Sequence, residues 1–115
     1  MDDMLQVDRV DAIGRLLTEH KAGDVVVLDM RTHNTFTDFF IIGTASSGVH
    51  MDALERAVYD FARENELDIA RKIRPRSFKA PDMLDEWRLV DMGNIVVHIM
   101  SEQARSFYEL ERLWS

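Results

Sequence analysis

Apolar side chains at Val10, Ile13, Leu16 and Leu17 recur at helical spacing, and Lys21-Ala22-Gly23 follows as a stop. This spacing predicts a first helix from about residue 5 to 21. Asp24-Val25-Val26-Val27-Leu28-Asp29 reads as a strand, and its unbroken β-branched run predicts burial on both faces, as in an interior strand. A polar turn, Arg31 to Thr35, separates it from a second buried strand, Asp38 to Ala45, with which it is expected to pair. Ser46 or Ser47 can cap the next helix, whose apolar positions Met51, Leu54, Val58, Phe61 and Ala62 recur at steps of three and four. A short strand from Asp68 to Ile73 and a loop from Pro75 to Asp85 follow. Glu86 to Asp91, the turn Asp91-Met92-Gly93-Asn94 and Ile95 to Met100 form a hairpin. Ser101 then caps a final helix whose Ala104, Phe107, Tyr108, Leu110 and Leu113 are expected to pack back. The order helix, two strands, helix, three strands, helix predicts an α/β fold with a mixed β-sheet of about five strands flanked by helices.

Composition narrows the class. With 115 residues and 46% hydrophobic content the chain is sized for one domain, residues 1–115, with a real core. It has no cysteine, so neither a disulfide framework nor a thiolate site can form. The start Met1-Asp2-Asp3-Met4 is acidic where a targeting peptide would be basic, and no apolar run reaches the roughly 20 residues of a membrane span, so a cytoplasmic location is expected. The net charge of −7 argues against a protein whose main task is gripping phosphate backbone and suits a basic protein partner. The charge is segregated: Arg71 to Lys79 holds five basic residues and no acid, against 9 basic and 21 acidic residues elsewhere. Arg74, Arg76 and Lys79, with Phe78 among them, could follow a nucleic-acid backbone, or the run could be a solvated loop.

Candidate chemistry is thin. Asp29, Asp38 and Asp91 sit at predicted strand ends, where magnesium-binding carboxylates of nucleotidyltransferases often sit. The acidic-any-acidic pair that would clamp two metal ions is missing, so turn and cap roles are the simpler account. Gly43-Thr44-Ala45-Ser46-Ser47-Gly48 runs from a strand into a helix, where backbone N–H groups can cradle phosphate, but it lacks the lysine of a P-loop. His98 lies in an apolar strand with no ligand spacing to His20, His33 or His50, so a buried histidine satisfied by one hydrogen bond is expected. Trp87 opens its strand either as a lid on the core or as an exposed anchor. No catalytic residue, metal or cofactor is assigned.

The stretch Trp87 to Trp114, with Val97-His98-Ile99, Arg105, Tyr108-Glu109-Leu110-Glu111 and Leu113-Trp114, resembles the signature of the ribosomal silencing factor (Iojap-like) family. Val25 to Asp29, and Thr37 to Ile42 leading into Gly43-Thr44 and paired serines, extend the likeness over most of the chain. The resemblance implies a nucleotidyltransferase-like topology without the catalytic carboxylates, and no enzymatic activity. It implies binding to the large ribosomal subunit on the face that meets the small one, docking on large-subunit protein fourteen, and repression of translation when nutrients are scarce. The family's docking surface maps onto Trp87, Leu89, Asp38, Asp91 and Tyr108, and relatives form homodimers. The chain departs from the family in its longer basic segment, Arg71 to Asp85, and in Asn94, where an Asp is usual. A contact of Arg74, Arg76 and Lys79 with ribosomal RNA is the expectation that departure raises. The rival reading is a magnesium-dependent nucleotidyltransferase-like enzyme using Asp29, Asp38 or Asp91.

Overall fold

A computed structural model describes residues 2–32, 37–69, 71–73, 86–110 and 112. Three helices, α1 (Asp2–Glu19), α2 (Gly48–Glu64) and α3 (Glu102–Tyr108), flank five strands: β1 (Gly23–Asp29), β2 (Phe39–Ala45), β3 (Arg71–Ile73), β4 (Trp87–Asp91) and β5 (Ile95–Ser101). The strands form one mixed sheet in the order β1-β2-β5-β4-β3. β2 and β5 run parallel at its centre, and the other neighbours pair antiparallel. This is the expected mixed sheet, with β1 paired to β2 and β4 hairpinned to β5. The basic segment beyond β3 and the loop from Pro75 to Asp85 lie outside the described residues.

Alternation along the central strands sends side chains to two faces. On one face Phe39, Ile41, Ala45, Val97, Ile99 and Val90 pack under Val10, Ile13 and Leu17 of α1 and Met51, Leu54 and Val58 of α2. The other face carries Ile42 and Met100 under Ala104 of α3, with Phe40 and Val96 further along the same strands. β2 and β5 are buried almost throughout because helices reach them from both sides.

Helix ends follow local chemistry. Ser47 caps α2 by accepting the His50 N–H at 3.0 Å, and Ser101 caps α3 by accepting the Ala104 N–H at 3.0 Å. Both α1 and α2 end in Schellman turns. In the first, Ala22 N–H reaches Leu17 O and Lys21 N–H reaches Thr18 O; in the second, Leu67 N–H reaches Ala62 O and Glu66 N–H reaches Arg63 O. The left-handed positions are Lys21 at φ 72° and Glu66 at φ 56°, where a glycine would avoid the Cβ clash. Lys21→Gly is therefore expected to raise stability by about 0.5 kcal/mol, read as a higher urea midpoint; an unchanged or lower midpoint would show that the lysine is not strained there.

Three expectations are corrected. β1 is an edge strand, not an interior one: its residues are half-buried or exposed, and Val27 is 43% exposed. A β-branched run suits a pleated strand at either position, and only the neighbours decide. The final helix stops at Tyr108, where Glu109 turns left-handed at φ 46°, so Phe107 is 53% exposed instead of packing back. β3 is also shorter than expected, beginning at Arg71 rather than Asp68.

Candidate functional site

β4 separates two tasks. Arg88 and Val90 point to the face under α2, where the Arg88 guanidinium bonds Asp52 and, at 3.1 Å, Glu55. Trp87, Leu89 and Asp91 alternate onto the opposite face, across β5 from Met100, His98 and Val96 in turn. Trp87 is half-buried over the Ile42, Met100 and Ala104 cluster, with Tyr108 and Leu110 packed against the same cluster. Its ring centre lies 4.8 Å from that of Tyr108, and the Tyr108 ring meets Phe107 edge-on at 4.9 Å. The result is a run of three aromatic rings, half-buried at Trp87 and open at Phe107, leading off the sheet face at the start of β4.

Beneath it lies His98. The Trp87 indole N–H donates to His98 Nδ1 at 3.1 Å, and the His98 ring meets Phe40 edge-on at 4.7 Å. Since an indole can only donate, Nδ1 carries the lone pair and the proton of the neutral ring sits on Nε2. Burial lowers the His98 pKa from 6.5 to about 4 by disfavouring the imidazolium. The expected buried histidine with one hydrogen bond is what the structure contains, and its donor is the tryptophan. Trp87 is thus a lid and a half-exposed ring at once.

The aspartates behave differently. Asp29, Asp38 and Asp91 all lie at one end of the sheet, but Asp29 and Asp91 stand three strand spacings apart, about 14 Å. Asp29 bonds Arg31. Asp38 accepts from Gln6 of α1 at 3.0 Å, away from the Trp87 face. Asp91 is 5% exposed and accepts the Gly93 N–H at 2.8 Å, which braces the hairpin turn where Gly93 takes φ 85°. No group of three metal-ligating side chains occurs among the described residues. The serine-rich turn after β2 has its own bonds: Ser46 N–H donates to His50 Nδ1 at 2.9 Å, and His50 Nε2 reaches His20 O at 2.7 Å. Two of the backbone N–H groups of this turn, those of Ser46 and His50, are therefore already used.

Of the residues predicted for docking, the structure packs Trp87 against Tyr108, sets Leu89 further along the same face against the Phe40 and Val96 cluster, keeps Asp91 there as a turn brace, and places Asp38 against α1. Arg74, Arg76 and Lys79 lie outside the described residues. Phe107 and His98 were not foreseen at the site. Phe107 and Tyr108 are adjacent on α3 and point about 100° apart, so the sequence left open which of the two turns outward.

An α/β domain with a mixed sheet, an open aromatic run and dispersed, occupied carboxylates is the class that fold and site define. The chain belongs to the family described as "Ribosomal silencing factor during starvation", whose profile matches residues 4–115. It is 35% identical over 106 residues to the ribosomal silencing factor of Treponema pallidum, covering 90% of this chain and 86% of that one. It is 34% identical over 98 residues to the Bacillus subtilis factor, covering 84% and 75%. A crystal structure of a Chromobacterium violaceum protein superposes with a TM-score of 0.77 at 27% identity, over 93% of this chain and 84% of that one. Among the described residues no helix is long and apolar enough to cross a membrane.

Proposed function

We propose that this protein is a cytoplasmic translational repressor that binds the large ribosomal subunit on its intersubunit face, docks on the basic large-subunit protein fourteen, and blocks joining of the small subunit by occupying the surface. It acts without catalysis, as a single domain over residues 1–115. Family membership supports the ribosomal role, and the aromatic run of Trp87, Tyr108 and Phe107 on an acidic chain is the observation that supports this surface. Aromatic rings give large contact area at low entropic cost, and negative charge speeds encounter with a basic partner. Leu89 extends the apolar contact along β4. Asp38 and Asp91 shape the far end of the sheet, Asp91 through the turn it braces. Arg74, Arg76 and Lys79 add a peripheral contact to ribosomal RNA, and the protein forms a homodimer.

Light scattering of large and small subunits mixed under joining conditions tests the role. Preincubating the large subunit with this protein is expected to abolish the joining signal, and normal joining would refute the proposal. Trp87→Ala is expected to weaken binding to large subunits by about 2 kcal/mol, roughly thirtyfold in Kd. Unchanged affinity in the folded variant would leave Trp87 as a core lid alone.

A further inference from the structure

We infer that His98 is a positioning residue for the docking surface: from beneath the sheet face its Nδ1 holds the Trp87 indole N–H and so sets the orientation in which the half-exposed ring meets its partner. The inference rests on the reading of Trp87 as a docking residue and extends it to a side chain no partner can touch, since His98 is 4% exposed.

Three observations carry it. The 3.1 Å bond joins a donor-only group to a single lone pair, so it admits one orientation of the indole edge. The tilted ring contact with Tyr108 does not have that selectivity, because a ring flipped about its long axis can still make it. The bond therefore turns the polar edge of the indole inward. Second, the histidine comes at a cost. Its Nε2 is buried with no hydrogen-bond partner among the described residues, which is unfavourable for a polar atom. A side chain needed only to fill space between Phe40 and Leu89 would be apolar; the acceptor at Nδ1 is what imidazole adds. Third, His98 is anchored independently of Trp87, by its place in the central strand β5 and by the edge-on contact with Phe40. A rigid strand below thus orients a ring at the end of a shorter one.

The test follows the Trp87 indole N–H by NMR, assigned against Trp114 with a Trp114→Phe variant, and measures Kd for purified large ribosomal subunits. His98→Phe keeps the ring and removes the acceptor. It is expected to move the Trp87 indole resonance, speed its hydrogen exchange and raise Kd about tenfold, with the circular dichroism spectrum retained. His98→Asn, whose Oδ1 falls near the Nδ1 position, is expected to recover most of the affinity and the protected resonance. In a Trp87→Phe background, His98→Phe is expected to add nothing. The inference is overturned if His98→Phe moves the resonance and leaves Kd unchanged, or if it costs as much affinity in the Trp87→Phe background. Should His98→Phe fail to fold, His98→Asn decides alone: a protected indole with near-normal Kd supports the positioning role, whereas lost protection with near-normal Kd, or a protected indole with lost affinity, overturns it. Trp87→Ala separates the two readings. Lost affinity there with normal affinity in His98→Phe removes only the positioning role, whereas unchanged affinity in Trp87→Ala removes the docking reading with it.

Discussion

Arg88→Ala is expected to lower the unfolding free energy by about 3 kcal/mol, the largest loss for any single charged residue among those described. Arg88 stands on the core face of β4 with its side chain 6% exposed, and bonds Asp52 and Glu55, one helical turn apart on α2. The two acids differ. Asp52 is 57% exposed and regains water when Arg88 is removed, whereas Glu55 is 16% exposed and would keep a charge facing the core. The second Glu55 oxygen accepts from Tyr59 at 3.1 Å, which holds the carboxylate in place. Truncation therefore leaves both a cavity and an uncompensated charge. Urea denaturation should give Asp52→Ala a cost below about 1 kcal/mol, Arg88→Ala about 3 kcal/mol, and the Arg88→Met/Glu55→Gln double variant much of the stability back. A loss under about 1 kcal/mol for Arg88→Ala would mean that water reaches the pair. The same bond ties β4 to α2 from behind, so the aromatic run on its other face is held by a strand anchored through Arg88.

Between pH 6.5 and 4 the wild-type protein is expected to lose about 3 kcal/mol more stability than His98→Phe. The folded pKa of about 4 lies below the unfolded value of 6.5 because burial disfavours the charged ring. Above pH 6.5 both states hold a neutral His98 and its contribution is complete. As pH falls, the unfolded chain takes up a proton that the folded protein refuses, so stability declines by about 1.4 kcal/mol per pH unit until the folded ring also protonates near pH 4. Among the described residues no counter-charge offsets this. The ring is packed by Phe40 and Trp87, Arg88 points to the other face, and Asp91, on the His98 face of β4, is engaged by Gly93. Protonation also places a proton on Nδ1, opposite the Trp87 N–H, so two donors collide. The remaining side chains are common to both proteins, so their contributions cancel in the difference. Parallel stability curves for the two across this window would show that His98 is solvated.

Elements whose signal is local were legible in the chain. A cap at Ser46 or Ser47 and one at Ser101 were readable because a cap needs only a side-chain oxygen two or three residues before a free N–H, and the structure chose Ser47 for α2. The Asp91 to Asn94 turn was readable because Gly93 alone there takes a positive φ at low cost. The missing acidic pair left turn roles as the simpler account of the strand-end aspartates, and Asp91 has that role in the structure. The stripe of α2 was legible at Met51, Leu54, Val58 and Ala62, all buried. Less was readable where the signal was shared by two outcomes. Val25, Val26 and Val27 look alike at the centre and at the edge of a sheet. The end of α3 falls at Glu109, which takes the left-handed region without the glycine or asparagine that would announce it.

The sequence by itself determined where helices and strands form, which faces are apolar, where the turns fall and that the chain is acidic with one basic segment, because each depends on residues a few positions apart. Only the tertiary structure decided that β1 lies at an edge, that β2 runs parallel to β5, and that Trp87 leans on Tyr108 while donating to His98. Those outcomes depend on which elements become neighbours across the sheet, and a side chain's burial, partner and pKa are properties of that neighbourhood and not of its own segment.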